Sequence, residues 1–476
     1  MSRQVPRRSL LAGAAAAGVV VAFDPTGVWV TAASAEAGAI WVPDLDGELV
    51  LDPGPEYAED WGLIVHRAPR AVLRPGSVRD VQRMVRFAGE QGLRVAMRGQ
   101  GHSTFGQAQV EAGVVIDSRT LATVHRLDAA GAVVDAGVTW HDLVRASVAV
   151  GLAPPVNTDY LGLSVGGTLS VGGVGGASSH FGLQVDNVLA LEVVTGDGRL
   201  VRCSPRENAD LFGSVLGGLG QFAIIVRATV RLVQAERTAR IYSLSYSDLA
   251  TFTADQRRLL ADGRFDYLEG QAVPVEGGGW SYLLEAGAYY TAPAPDDARL
   301  LEGLRHGSAE IQELPYLDWL DRIYGIVEQL RALRLPNPWI NLFLPAEQTD
   351  QYVARLLAEL TPADTGGGVV LLYPVPTRLV TRPFVRVPRG EVMYVLAILR
   401  MVIPPNDAEV QRLVAQNRTF YDRARAIGAT HYPIGSIPLD RDDWASHYGE
   451  QYPALVAAKN RYDPRRVLTP GQGIFG

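Results

Sequence analysis

Arg98-Gly99-Gln100-Gly101-His102-Ser103, continuing to Gly106-Gln107-Ala108, places one imidazole inside a glycine-rich turn directly after an apolar run that reads as a strand. Backbone N–H groups exposed in such a turn form a concave donor set, and a pyrophosphate needs no lysine when enough amides converge on it. A neutral imidazole there is a nucleophile able to attack the electrophilic methyl of an isoalloxazine ring and form a covalent flavin link. The same spacing also fits a histidine that only hydrogen-bonds its own loop. Asp159, in Asn157-Thr158-Asp159-Tyr160-Leu161, stands just ahead of Val165-Gly166-Gly167-Thr168-Leu169-Ser170. Between an apolar segment and a glycine wall, a carboxylate is a candidate general base, because loss of water raises a carboxyl toward working pH. An Asx turn or a helix cap is the competing account for a lone aspartate. Glu285, in Tyr282-Leu283-Leu284-Glu285-Ala286, lies in an apolar run of strand character, and period alone leaves open whether it points inward.

Other chemistries lack their signatures. Gly218-Leu219-Gly220-Gln221-Phe222-Ala223 has the letters of a dinucleotide fingerprint, but a β-rich run follows where a helix N-terminus must meet the pyrophosphate. There is no P-loop, no His-Glu-x-x-His helix and no Gly-x-Ser-x-Gly elbow. The lone Cys203 excludes an internal disulfide and a Cys-rich metal site, and no metal is expected. A net charge of −7, with no basic stripe, makes nucleic acid an unexpected partner.

The elements that must position these residues follow from pattern. Length favours two or more domains. Arg7 and Arg8 precede an apolar run to Phe23 and then Ala33-Ser34-Ala35, the three regions of an export signal. The adjacent arginines and modest hydrophobicity suggest the twin-arginine route, and a run of about 14 residues falls short of the roughly 20 needed to span a bilayer. Residues 1–35 are therefore read as a signal, with the mature protein exported to the periplasm or beyond and not stably inserted in a membrane. Ser77 as N-cap with Asp80, then Val78, Val81, Met84, Val85 and Ala88, predicts a helix ending near Gly92. Strands are predicted at 94–97, 114–117 and 133–136, with a helix over 140–150 capped by Thr139 and Asp142, so the pattern is β-α-β. Residues 157–182, rich in Gly and Ser, let backbone approach a ligand closely. Strands flank Gly196-Asp197-Gly198 and run over 223–233. From about 240 to 430 helical patterns (405–428) mix with strands (369–373, 392–399), and from about 436 the chain reads as a polar, loop-rich end.

Taken together, Arg98 to Ala108, Thr158 to Ser170, Asn187 to Thr195, Asn208-Ala209-Asp210-Leu211-Phe212, Leu216 to Phe222, Pro338-Trp339-Ile340-Asn341-Leu342-Phe343, Asp442-Asp443-Trp444, Tyr462-Asp463-Pro464 and Pro470-Gly471-Gln472 resemble the cytokinin dehydrogenases, of the vanillyl-alcohol-oxidase group of FAD enzymes. The resemblance implies a two-lobed α/β (α+β) fold: a PCMH-type FAD-binding domain at 36–238, an inserted cytokinin-binding-type substrate domain at 239–435, and a return of 436–476 to the first. It implies FAD bonded covalently to His102, with Gly99, Gln100, Gly101, Ser103 and Gln107 on the pyrophosphate side. Ser164, Ser170, Val174, Ile225, Thr469 and Gln472 match further FAD contacts, as does Tyr432 in a loop where the pattern departs from the plant type. Asp159 matches the base and also falls within reach of flavin and substrate; Glu285 matches the substrate-binding glutamate, and Trp339 and Asn341 line the pocket. The implied reaction is hydride transfer from a small secondary amine to flavin, an N6-alkenyladenine giving adenine and an aldehyde. Oxygen or a quinone would be the electron acceptor, and the protein a monomer or weak oligomer. Two alternatives stay open: an FAD-linked oxidase of another small amine, alcohol or sugar, and an exported flavin- or purine-binding protein without catalysis.

Overall fold

In the computed structural model, the backbone is described at residues 20–23, 29–31 and 40–475 and side chains from residue 42 onward; the twin arginines fall outside the described residues. Among the described residues three large sheets build the molecule, beside two small ones, one made by the strands Val20–Phe23, Trp29–Thr31 and Ile40–Trp41 and one by Leu152–Ala153 with Val233–Gln234.

The first has the strand order Glu48–Val50, Ala71–Arg74, Val114–Asp117, Val95–Arg98, with the last three parallel. The helix Val78–Glu90 makes the crossover, and Val81, Met84, Val85 and Ala88 bury the face that the 3.6-residue period sets on one side. Its cap differs from expectation. Ser77 occupies the N-cap position, but its hydroxyl donates to Asp46 at 2.6 Å. Buried Asp80 instead accepts from the N–H groups of Asp46, Gly47 and Gly76, each at 2.8 Å, because three converging donors compensate a buried carboxylate better than one hydroxyl could. The helix Trp140–Val148 starts as predicted, Thr139 accepting from Asp142 N–H at 3.1 Å.

A five-stranded antiparallel sheet follows, in the order Leu200–Cys203, Val188–Thr195, Ala223–Val230, Gly131–Asp135, Val124–Asp128. Val194, Ile224 and Val226 pack one of its faces against the first sheet's core. The third sheet has eight antiparallel strands, centred on Thr238–Tyr246, Trp280–Tyr290, Tyr267–Pro274 and Val370–Pro376, with its own apolar core.

The end of the chain is not loop-rich. Helices span Arg441–Tyr448 and Tyr452–Tyr462. Asp440 and Asp443 form a capping box, and Trp444, Tyr448, Leu455 and Tyr462 bury one narrow stripe that the polar composition conceals. Beyond them the chain returns to the first sheet, Thr469 N–H donating to Val95 O at 2.8 Å. Buried Lys459 donates to Gln221 O at 2.9 Å and pairs with Asp463 at 2.8 Å.

Candidate active site

The strand Val95–Arg98 delivers the glycine turn to the seam between the lobes. At Gly99 a Cβ would stand 2.0 Å from Ser164 Oγ, so only glycine lets the two segments meet. The turn is braced from below by Asp60-Trp61-Gly62, which the sequence reading missed. Trp61 N–H donates to Gly101 O at 2.8 Å. The Asp60 carboxylate accepts from Gly62 N–H at 3.1 Å, Ser103 Oγ at 3.1 Å and Gly106 N–H at 2.6 Å. Burial pushes the Asp60 carboxyl up to about 6 against those donors.

His102 stands in an aromatic box. Its ring stacks on Trp61 at 4.8 Å, tilts against Tyr160 at 5.0 Å and meets Trp339 edge-on at 5.5 Å. Arg331 reaches Gln100 O at 3.3 Å and His102 Nδ1 at 3.4 Å. Burial first, and that guanidinium second, push the imidazole down to about 3, so it is neutral at any working pH.

The donors left over define what fits here. Among the described residues, the backbone N–H groups of Gln100, Gly101, His102 and Ser103 donate to no protein group. Trp61 Nε1, Trp339 Nε1 and Asn341 Nδ2 are buried without a partner. Donors left unpaired along this loop and beside it suit an anionic, acceptor-rich group, and the pyrophosphate and ring carbonyls of FAD are such acceptors.

Asp159 is neither a cap nor an Asx turn. One oxygen, Oδ1, accepts from Arg322 Nη2 at 2.9 Å and from Tyr267 hydroxyl at 3.0 Å, while Oδ2 has no protein donor among the described residues. Tyr267 approaches because position 176 is glycine, where a Cβ would lie 2.5 Å from the tyrosine ring. A cavity of about 30 Å³, room for a water, lies against Asp159 between Tyr289, Tyr316 and Arg322. Glu285 points inward, half-buried, and the register sets it directly opposite Glu269. Glu269, also missed, is 4% exposed with Oε1 unpaired. Burial and the neighbouring carboxylates push Glu269 well up; burial raises Glu285 as well, Arg322 opposing both shifts. The signal for Glu269 was its spacing of two from Tyr267, which puts both on one strand face.

The other expected residues are scattered along the seam. Ser103 and Gln107 spend their side chains bracing the loop, Gln107 Nε2 donating to Gly435 O at 3.1 Å. Ser170 Oγ donates to Gly166 O at 2.8 Å, Val174 packs half-buried on the main core, and Ile225 is buried in its strand. Tyr432 reaches the glycine-rich segment, its hydroxyl accepting from Gly173 N–H at 2.9 Å. Thr469 holds Gly220 O at 2.9 Å, and Gln472 O accepts from Trp444 Nε1 at 3.1 Å. Between them the tail presses on the turn, a Cβ at Gly471 falling 2.3 Å from Gly106 O.

Residues 69–204 match the FAD binding domain family, and residues 273–475 match the family described as cytokinin dehydrogenase 1, FAD and cytokinin binding. An uncharacterised oxidoreductase of the fasciation locus of Rhodococcoides fascians is 41% identical, the match covering 87% of this chain and 95% of that one. Cytokinin dehydrogenase 7 of Oryza sativa subsp. japonica is 35% identical, over 88% and 89% of the two chains. Among solved structures, 6-hydroxy-D-nicotine oxidase from Arthrobacter nicotinovorans superposes with a TM-score of 0.68 at 23% identity, over 89% of this chain and 96% of that one, a likeness of fold.

Proposed function

The chain belongs to the cytokinin dehydrogenase family of FAD-dependent oxidoreductases, and from that membership we propose that it carries FAD covalently on His102 and oxidises a small secondary amine of the N6-alkenyladenine type. The observation that carries this reading is the state of Asp159: one oxygen is tied by two donors and the other is free, next to the tyrosine whose ring packs on His102. When bound, the flavin supplies the acceptor for the hydride that leaves the carbon beside the nitrogen. Asp159 Oδ2 takes the N–H proton, and the imine so formed adds water and splits to an aldehyde and the free amine. Glu285 accepts a ring N–H of the substrate, Asn341 Nδ2 offers a donor to a ring acceptor, and Trp339 walls the pocket. Neutral His102, with its loop fixed by Asp60 and Trp61, is the nucleophile for flavin attachment. Oxygen or a quinone reoxidises the enzyme, which works as a monomer or weak oligomer. In this reading residues 1–35 are a twin-arginine-type signal and the mature N-terminus lies near 36 in the periplasm or outside the cell, so that the strands Val20–Phe23 and Trp29–Thr31 belong to the precursor alone.

Anaerobic addition of isopentenyladenine to the purified protein tests the substrate: bleaching of the yellow flavin is expected, and an unchanged spectrum would refute it. Asp159→Asn is expected to slow that bleaching by about 10²–10⁴-fold, the usual worth of a placed proton acceptor. For the covalent link, flavin fluorescence stays with the denatured chain on a gel and is lost from the polypeptide in His102→Ala.

A further inference from the structure

Asp159 is not held by its own segment. Its two donors come from elsewhere: Tyr267 from the strand Tyr267–Pro274, and Arg322 from the short connection between the helices Tyr316–Leu320 and Tyr324–Leu333. Arg322 is itself fixed on three sides. Its guanidinium lies 3.7 Å over the Trp319 ring, Nη1 donates to Trp319 O at 3.2 Å, and Nη2 donates to Tyr267 hydroxyl at 2.7 Å. A planar cation stacked on indole, with Nη2 shared between two oxygens and Nη1 on a backbone carbonyl, has one orientation, which a flexible ammonium would not keep.

We propose that Arg322 is a positioning residue for the reaction: with Tyr267 it occupies Oδ1 of Asp159 and thereby leaves Oδ2 as the only oxygen that can take the substrate's proton. The proposal rests on the function given above. The groups facing Asp159 are Tyr267 and Glu269 from one strand, Glu285 and Tyr289 from the next, Tyr373 from a third, and Tyr316 and Arg322 from the covering segment. Arg322 is the only cation among them. Without it, three acids share one poorly hydrated space, and carboxylates so placed cannot all stay ionised. The carboxylate would also turn freely, so that neither oxygen is presented in a fixed direction.

The test compares Arg322→Met and Arg322→Lys with the parent enzyme, each made alone and in the Asp159→Asn background. The readouts are the pH profile of anaerobic flavin reduction by isopentenyladenine and the melting temperature. In Arg322→Met the acid limb of kcat/KM moves up by about one pH unit or more, which reads as a roughly tenfold or larger loss at pH values well below the parent's limb. Arg322→Lys, which keeps the charge and loses the planar stacking on Trp319, shows a smaller move. In the Asp159→Asn background, Arg322→Met no longer moves the profile, and it lowers the melting temperature by less than in the parent, the contacts to Trp319 and Tyr267 being lost in both. An unmoved limb, or an equal loss at every pH that persists in the Asp159→Asn background, overturns the proposal. If the parent enzyme is not reduced by isopentenyladenine, the substrate reading fails by itself. Arg322 is then judged by melting alone: a loss of melting temperature that is the same with and without Asp159 refutes the pairing.

Discussion

Replacing Asp463 by alanine is expected to disable the enzyme without touching any residue assigned to the reaction. Lys459 and Asp463 are 2% and 0% exposed, with Nζ 2.8 Å from Oδ2. Asp463 also accepts from Val467 N–H at 2.8 Å and Leu468 N–H at 2.9 Å, and Lys459 holds Gln221 O and Leu468 O. Breaking a buried pair from one side costs about 3–5 kcal/mol, because the surviving charge is stranded. Burial already pushes the Lys459 ammonium down, with Asp463 as the main force opposing it. Two orphaned N–H groups raise the cost by about 1–3 kcal/mol each when taken alone, so a total near 5 kcal/mol is expected after allowing for non-additivity. The segment released is the one that carries Thr469 to Gln472 onto the His102 turn. Urea denaturation followed by tryptophan fluorescence measures the loss, and flavin content of the purified variant measures the consequence. Asp463→Asn should recover part of the stability by restoring an acceptor. The paired apolar replacement Lys459→Met with Asp463→Leu should be more stable than Asp463→Ala. An Asp463→Ala protein within about 1 kcal/mol of the parent would refute this account of the tail.

His431 gives a pH prediction. Burial pushes its imidazole down to about 4, with its ring nitrogen 3.3 Å from Asn341 O. A depressed histidine contributes stability that is present above the unfolded value near 6.5 and is lost as pH falls through 4. Between pH 7.5 and 5 the loss is about 2 kcal/mol, and His431→Gln should remove that part of the acid sensitivity in urea titrations. His447, pushed well below its usual range by burial and by His431, adds in the same direction. Tyr432→Phe leaves buried Gly173 N–H without an acceptor and should cost about 1–3 kcal/mol in thermal or urea unfolding, the aromatic packing on Phe343 being unchanged.

What the sequence disclosed was whatever depends on neighbours along the chain. The helix Val78–Glu90 was legible because its buried side repeats at three and four residues, and the turn at His102 because glycine spacing is itself the signal. The two final helices were not, since Trp444, Tyr448, Leu455 and Tyr462 form a stripe too thin to lift a polar stretch above loop composition. The cap at Ser77 looked right by position and was wrong in chemistry, because Asp46, 31 residues earlier, competes for the hydroxyl.

The site divides the same way, and the division carries a functional argument. Asp159, His102 and Glu285 announced themselves, whereas Glu269 and Arg322 are brought to them only by strand register and a crossing segment. Three acids and one guanidinium share a space poor in water: burial and the neighbouring carboxylates hold Glu269 well up, burial raises Glu285, and Arg322 pairs with Asp159. A pocket with three free carboxylates would collect protonated alkylamines, which have no nitrogen lone pair to assist departure of a hydride. A pocket in which burial works against charge on two of the acids, while the third is paired with Arg322, pulls less on a cation, which suits an uncharged N–H compound whose nitrogen is already weakly basic. On the proposed function, the two raised acids beside Asp159 bear on substrate charge, and the amine expected there is one that is neutral at working pH.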